Sequence, residues 1–154
     1  MREKQPNSRH CFVCGLENSY GLGLRFYEVG SREVEANVIV GEQYQGYPGL
    51  VHGGIVAAMM DEVLARAAMI EDHQHFRMTA KMEIRYRQPV PTGEPLHLTG
   101  KIIRQRSRFA VARAELHLPD GSLGVEAEGI LADLQGAPSE KEELEALGWK
   151  IYPD

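Results

Sequence analysis

The stretch that decides the fold is GGIVAAMMDEVLARAAMI, residues 53–70. Its length and its content of Ala, Met, Leu and Val favour an α-helix. This helix is apolar on nearly every side, so other structure must surround it. Its three charged residues, Asp61, Glu62 and Arg66, argue against a membrane span. The sequence therefore predicts one long helix buried inside a globular domain.

Segments of alternating polarity lie on both sides of this helix. Two strands are predicted before it, at residues 22–29 and 33–40, joined by a Gly-Ser turn at residues 30–31. Four more are predicted after it, at residues 80–87, 96–105, 109–118 and 123–134. In the first of these four, the alternation predicts an apolar face formed by Ala80, Met82, Ile84 and Tyr86.

The order of these elements predicts an α+β fold, with an antiparallel sheet of about six strands around one long central helix. We expect residues 1–154 to form a single domain, with a core at about 8–134 and a polar C-terminal tail at 135–154. Within this tail a short helix is predicted over residues 140–147, with Ser139 as its N-cap. The sheet would have exposed edges, and a second copy of the chain could cover one of them.

Composition and charge exclude some classes of function. The chain has 154 residues, 43% of them hydrophobic, which is ordinary for a globular protein. Its net charge of −5 argues against a nucleic-acid partner, because neutralising phosphates needs a surplus of Lys and Arg. The first ten residues, MREKQPNSRH, have no apolar core that could serve as a signal peptide. We therefore expect a cytoplasmic protein without membrane insertion.

The two cysteines, Cys11 and Cys14, have C-x-x-C spacing. A tetrahedral zinc site needs four ligands, and the adjacent His10 supplies at most a third. A redox pair is expected at a strand-to-helix junction, whereas a Gly-rich segment follows here. The sequence thus predicts two structural thiols, with no metal and no cofactor. A metal completed by a distant or partner-chain ligand, and a redox or regulatory pair, stay open as alternatives.

The predicted helix carries two adjacent carboxylates with different surroundings. The residues three and four positions from Asp61 are small or apolar, namely Ala57, Ala58, Leu64 and Ala65. Glu62 instead has Arg66 four positions on, which gives it an ion-pair partner and a structural explanation. Because an ionisable group on an apolar face is costly unless it is used, the pattern indicates a functional role for Asp61.

The predicted start of the helix, His52-Gly53-Gly54, is the second candidate site element. Paired glycines let a ligand approach the backbone N–H groups closely. Those groups lie at the positive end of the helix dipole, so they could polarise a carbonyl oxygen and hold an oxyanion. A glycine pair before a helix is a weak signal alone, and it gains weight from the carboxylate at Asp61.

Several segments together resemble a known family. They are GLVHGGIVAAMMDE at residues 49–62, RMTAKMEIRYRQPVP at 77–91, GVEAEGILADL at 124–134, and the lead CFVCG with GLGLRF at 11–26. In these segments the chain resembles the PaaI-like hotdog-fold acyl-CoA thioesterases of the 4HBT thioesterase superfamily, over roughly residues 8–134. His-Gly-Gly followed by an acid nine positions after the His is the most specific part of the match.

The resemblance implies hydrolysis of an acyl-CoA thioester by a homodimer. Asp61 would be the nucleophile or the general base, and Thr79 would position the water. The Gly53 backbone N–H would bind the thioester carbonyl oxygen, His52 would help to shape that site, and Gly54 would lie against the substrate. Since Asp61 of one protomer faces Gly53 of the other in such enzymes, the dimer would be the catalytic unit. Pairing of dimers into a tetramer stays open.

The resemblance also suggests how the substrate binds. The hairpin that carries Arg104, Arg106 and Arg108 lies near the CoA phosphates in relatives, although an ordinary solvated hairpin explains these residues equally well. Some relatives have Asn or Gln six residues before the His, where this chain has Gly46. The acyl pocket is expected to be lined by Met59, Met60, Leu64 and residues 44–50.

Two other functions remain compatible with this sequence. One is an acyl-thioester hydratase or dehydratase on the same fold, in which a His and an acid act together on the substrate. The other is a non-catalytic acyl-CoA-binding protein, which the presence of Gly46 would suit. Assays with an enoyl-CoA and with a saturated acyl-CoA distinguish these functions from hydrolysis.

Overall fold

The computed structural model describes residues 2–30 and 32–154. In these residues the long helix α1 covers Gly53–Ala68, a 3-10 turn covers Glu42–Tyr44, and a short helix α2 covers Lys141–Ala146. The strands are β1 (Arg2–Lys4), β2 (Tyr27–Val29), β3 (Glu33–Ile39), β4 (Arg77–Tyr86), β5 (Pro95–Gln105), β6 (Phe109–His117) and β7 (Leu123–Asp133). None of the helices in this part of the chain has the length and apolar character needed to cross a membrane.

The described strands form one antiparallel sheet in the order β1-β2-β3-β5-β6-β7-β4. Helix α1 packs against one face of this sheet, where it contacts β3, β4, β5, β6 and β7. Its side chains Met59, Met60 and Leu64 are fully buried in this contact. The predicted α+β hotdog architecture with a central helix is confirmed. Strands β1 and β4 are the two edges of the sheet.

Two glycines of the sheet let α1 approach closely. A Cβ atom on Gly100 would lie 2.6 Å from Val63 Cγ1, and one on Gly129 would lie 2.7 Å from Leu64 Cδ1. At these distances an added side chain would force the contacting side chain of α1, or the helix itself, to shift. The sheet is therefore shaped to seat the middle of α1, which includes the turn that carries Asp61.

The N-terminal part of the sheet differs from the sequence prediction in two ways. The strand predicted at residues 22–29 is regular only over Tyr27–Val29, because Leu22 and Leu24 donate their N–H groups to the carbonyls of Phe12 and Val13. An additional strand, β1, pairs with β2 and raises the count from six to seven. Its sequence, REK, has no apolar alternation that could reveal it.

The turn predicted at residues 30–31 is described only in part. Gly30 has a φ of 69°, a left-handed conformation that favours glycine. Ser31 lies outside the described residues.

Strand β4 contains a β-bulge at Ala80. Thr79 lies opposite Leu131 of β7 and Lys81 lies opposite Ile130, so Ala80 has no partner of its own. The extra residue shifts the side-chain alternation by one position. The prediction that Ala80 shares the apolar face with Met82 is therefore wrong, since Ala80 is exposed and half-buried Thr79 takes that side.

The C-terminal residues pack onto the N-terminal segment and the end of α1. Leu144 of α2 is buried, and the Trp149 ring makes an edge-to-face contact with Phe76 at 5.2 Å between centroids. Helix α2 is shorter than predicted. Its N-cap is Glu140, which makes no side-chain capping bond, so the prediction of Ser139 as the cap is wrong.

Candidate active site

The start of helix α1 exposes one unpaired backbone donor. His52 is the N-cap, and its Nδ1 accepts a hydrogen bond from the Gly54 N–H at 2.8 Å. The N–H groups of Ile55 and Val56 donate to the His52 carbonyl. Among residues 2–30 and 32–154, the Gly53 N–H donates to no acceptor. The Gly54 N–H is thus engaged by His52, and Gly53 is the donor that remains at the helix start.

Tyr86 fixes the position of this donor. Its hydroxyl donates to the Gly53 carbonyl at 2.7 Å, which ties the first turn of α1 to the end of β4. The sequence reasoning placed Tyr86 only on an apolar strand face and missed this role. Its position in phase with Met82 and Ile84, on the side that packs against the helix, was the signal that could have indicated it.

A cleft of about 600 Å³ opens beside Gly53. Tyr47 and Leu50, both from the predicted pocket segment 44–50, contribute to its wall together with Tyr86. The prediction that Met59, Met60 and Leu64 line an acyl pocket is wrong, because all three are fully buried between helix and sheet.

The loop before α1 passes close to the helix at Gly46. A Cβ atom on Gly46 would lie 3.2 Å from the His52 Cα, so this loop passes close to the helix start. The side-chain oxygen of the neighbouring Gln45 accepts a hydrogen bond from Gly49 N at 3.3 Å.

The second half of the candidate site is the pair Asp61 and Thr79. The Thr79 hydroxyl donates to Asp61 Oδ1 at 2.6 Å, and both side chains are half-buried. The bulge at Ala80 is what turns Thr79 towards the helix. A carboxylate with one oxygen held by a hydroxyl keeps its second oxygen for a water molecule or a substrate carbon.

The two halves lie too far apart to act on one carbonyl group within a single chain. Gly53 and Asp61 are eight residues apart on the same helix. At a rise of 1.5 Å per residue this separation is about 12 Å along the axis. The structure thus brings Asp61 together with Thr79, and His52 together with Gly53 and Gly54, but keeps the two groups separate.

Glu62 belongs to a structural ion pair. Its Oε1 lies 2.9 Å from Nε of Arg66, whose side chain is only 1% exposed. Arg66 also donates to the Pro6 carbonyl and lies over the rings of Phe26 and Trp149. The predicted pairing of Glu62 with Arg66 is present, and it lies deeper in the protein than an exposed helix pair.

The thiol pair lies beside Glu62. Cys11 is half-buried and Cys14 is buried, and both are free thiols. Their mutual hydrogen bond lowers the pKa of Cys11 to about 7, against the opposing effects of burial and of the Glu62 charge. The same hydrogen bond, together with burial, raises the pKa of Cys14 well above its ordinary range.

The three arginines lie on the hairpin between β5 and β6. Arg104, Arg106 and Arg108 are exposed, and they form no ion pair within residues 2–30 and 32–154. The Arg108 carbonyl accepts a hydrogen bond from the Asp133 N–H, and Asp133 lies opposite Arg77 of β4. The hairpin therefore lies at the end of the sheet where β4 begins. The first residue of β4, Arg77, is two positions before Thr79.

Comparison with known proteins connects this geometry to named relatives. A family model described as the thioesterase superfamily matches residues 48–125. The acyl-coenzyme A thioesterase THEM4 of Rattus norvegicus is 31% identical over 91 residues, which are 58% of this chain and 38% of that protein. Acyl-coenzyme A thioesterase 13 of Mus musculus is 30% identical over 77 residues, 50% of this chain and 55% of that protein. The chain thus spans less than two thirds of the length of these curated relatives.

Solved structures show the same architecture. A crystal structure of a thioesterase superfamily protein, RHA08564, superposes with a TM-score of 0.75 at 34% identity, covering 81% of this chain and 61% of that one. The PaaI protein of E. coli gives a TM-score of 0.66 at 18% identity, covering 75% of this chain and 83% of that one, which is a likeness of fold. Because the family model matches half of the chain and the fold agrees, this protein belongs to the thioesterase superfamily.

Proposed function

We propose that the protein is an acyl-CoA thioesterase with Asp61 as nucleophile or general base. The observation that carries this proposal is the hydrogen bond from Thr79 to Asp61, which orients a carboxylate whose neighbours three and four positions away on the helix are small or apolar. The reaction consumes one water and breaks the bond between the acyl carbon and sulfur. It yields a carboxylate, free CoA thiol and one proton.

The mechanism divides the work between two groups of residues. The Gly53 N–H, at the positive end of the helix dipole, polarises the thioester carbonyl and stabilises the oxyanion that develops on it. As a general base, Asp61 takes a proton from the water that Thr79 helps to position; as a nucleophile, it attacks the acyl carbon itself. His52 orders the first turn of α1 by accepting from Gly54, so that Gly53 keeps its free donor.

A homodimer completes the site. Asp61 and Gly53 of one chain cannot reach the same carbonyl, whereas β4 is an unpaired sheet edge. When two copies pair their β4 strands antiparallel across a two-fold axis, the Thr79 end of one strand lies beside the Tyr86 end of the other. Thr79 holds Asp61 and Tyr86 holds Gly53, so the dimer brings the two halves together.

The proposed substrate class is a thioester of CoA. Two of the relatives are named acyl-coenzyme A thioesterases, and a structural neighbour from Streptococcus mutans, smu.793, was solved with acetyl CoA bound. That neighbour has a TM-score of 0.65 at 14% identity, with 72% of this chain and 88% of that one covered. The exposed arginines Arg104, Arg106 and Arg108 offer charge-assisted contacts for the CoA phosphates.

The test of this function is release of free thiol from a panel of acyl-CoAs of differing chain length. We expect hydrolysis of at least one saturated acyl-CoA, with one carboxylic acid formed per thiol. An enoyl-CoA assayed beside it tests the alternative reaction. Hydration of the enoyl-CoA without thiol release would identify a hydratase, and binding of acyl-CoA without any turnover would identify a non-catalytic binding protein.

Reversing the charge of Arg106 or Arg108 to Glu is expected to raise KM for the acyl-CoA at least about tenfold, which is about 1.4 kcal/mol. The reason is that phosphate contacts far from the reacting carbon contribute mainly uniform binding. The control is the same acyl group on a short thioester that lacks the nucleotide, for which KM should barely change. Equal effects on both substrates would remove these arginines from the CoA site.

A further inference from the structure

The C-x-x-C segment folds into a tight turn that presents two sulfur atoms together. The Gly15 N–H donates to the Cys11 carbonyl at 2.8 Å, and the Cys14 N–H points at Cys11 Sγ at 3.4 Å. A Cβ atom at position 15 would lie 2.3 Å from the Cys11 oxygen, so the turn requires glycine there. The amide of Asn7 holds the turn in place by donating to the Cys14 carbonyl at 2.7 Å. The backbone therefore fixes both thiols independently of any bond between them.

The fold supplies a third ligand that sequence spacing does not reveal. Glu62 of α1 places its Oε2 3.8 Å from Cys11 Sγ, and one ligand atom each from Cys11, Cys14 and Glu62 all lie within 4.8 Å of one another. The other oxygen of Glu62 is held by Arg66, a buried side chain. A ligand carboxylate whose second oxygen is fixed in this way is oriented as metal-site carboxylates usually are.

We propose that Cys11, Cys14 and Glu62 bind a divalent cation that prefers sulfur, with Zn²⁺ as the best match and water in a fourth position. Zinc–sulfur bonds of about 2.3 Å place two thiolates about 3.7 Å apart in a tetrahedron. The two sulfur atoms here lie within 4.8 Å of each other, so the cluster can reach that geometry with a small adjustment. Two thiolates and one carboxylate carry three negative charges. The cation and the Arg66 guanidinium supply three positive charges, so the buried cluster is neutral.

The sequence offered two ligands and His10 as a third, and it therefore predicted no metal. A metal completed by a distant ligand stays open as an alternative, and Glu62 is such a ligand, whereas His10 is exposed. The site joins the N-terminal segment to α1 at the residue next to Asp61. Its role is to brace the helix that carries the carboxylate, and it stands independently of the proposed hydrolysis.

The test is a titration of the reduced full-length protein with Co²⁺, followed by absorption. Thiolate ligands give a charge-transfer band to cobalt in the near ultraviolet, and a tetrahedral Co²⁺ ion gives bands in the visible. Both signals report the ligands directly, without an activity assay. We expect saturation at one equivalent, displacement by Zn²⁺, and a higher thermal midpoint of the wild type with Zn²⁺ than after chelation. No thiolate band at one equivalent, with two titratable thiols present, would overturn the proposal.

Variants assign the ligands. Cys11→Ser and Cys14→Ser should each reduce the charge-transfer band, and Glu62→Gln should weaken Co²⁺ binding at least about tenfold. His10→Ala is the matched control and should leave the affinity unchanged. An affinity unchanged in Glu62→Gln, or lost in His10→Ala, would contradict this ligand set. Should a cysteine variant fail to fold, the stoichiometry, Zn²⁺ displacement and thermal shift of the wild type still decide between the outcomes.

Discussion

Replacing Asp61 with Asn is expected to lower kcat by a factor on the order of 10² to 10⁴, because the amide is neither a nucleophile nor a base. The side-chain oxygen of Asn can still accept the hydrogen bond of Thr79, so the local geometry should persist. The thermal midpoint should hold or rise, since a neutral amide costs less to desolvate than a carboxylate. The value of kcat is measured with the acyl-CoA that the thiol-release panel identifies as the best substrate, and the thermal midpoint is measured on the purified protein.

A matched substitution elsewhere controls for the chemistry of the exchange. Asp72 is exposed in the segment after α1, where its carboxylate accepts from the Gln74 N–H. Asp72→Asn should keep full turnover. A kcat for Asp61→Asn within a few-fold of the wild type would show that Asp61 is not the catalytic group.

Glu62→Gln should produce the opposite pattern, with its main effect on stability. An exposed helix pair with this spacing is worth about 0.3–0.5 kcal/mol. The structure shows Arg66 at 1% exposure, so removal of its partner leaves a buried cation uncompensated. We expect a loss of about 1–3 kcal/mol in the free energy of unfolding, measured in urea. A kcat lost in Glu62→Gln but kept in Asp61→Asn would mean that Glu62, and not Asp61, is the catalytic carboxylate.

Gly53→Pro is expected to lower kcat by about 10² to 10³, the cost typical of losing one oxyanion donor. Proline removes the free N–H but is well suited to the first position of a helix. His52 has φ −55° and ψ 135°, which suits a residue that precedes proline. A Cβ at position 53 would come no closer than 3.8 Å to Tyr86, so space is available.

Gly53→Ala is the matched control for this change. It adds the same Cβ atom and keeps the N–H, so it should lose far less of kcat than Gly53→Pro. Circular dichroism and the thermal midpoint verify that both variants keep the helix. Equal losses in the two variants would mean that bulk at position 53, and not the donor, determines the rate.

Mixing the two inactive proteins tests whether the site is shared between subunits. A hybrid dimer of Asp61→Asn and Gly53→Pro chains has one site with both defects and one site with neither. After free exchange of equal amounts, about a quarter of the wild-type activity should return. No recovery, despite hybrids seen by mass spectrometry, would exclude the shared site, and so would an active monomer in sedimentation.

The sequence was most informative where periodicity and composition agree. Helix α1 was predicted to within two residues of its end, and strands β5, β6 and β7 to within one residue at each boundary. The contrast between Asp61 and Glu62 came from their helical neighbours alone, and the structure provides Glu62 with the expected partner. These features depend on contacts within a few positions in the chain, which sequence spacing encodes directly.

Features that depend on distant pairing could not be predicted in this way. Strand β1 exists because three polar residues pair with β2, and no local pattern marks them. The hydrogen bond from Tyr86 to Gly53 joins residues 33 positions apart, and the approach of Glu62 to Cys11 spans 51 positions. Each of these contacts is fixed only when the sheet closes around the helix.

Because of the bulge in β4, the contact of Thr79 with Asp61 depends on whether a count of residues is odd or even. Side chains on a strand alternate sides with every residue. The number of residues between Thr79 and the inward-facing Met82 therefore decides which way Thr79 points. Changing the identity of Ala80 preserves this count, whereas inserting or deleting one residue between Thr79 and Met82 reverses it. Ala80 has no pairing partner in β7, yet its presence directs the Thr79 hydroxyl towards Asp61. The chemical nature of the side chain at position 80 does not matter for this effect.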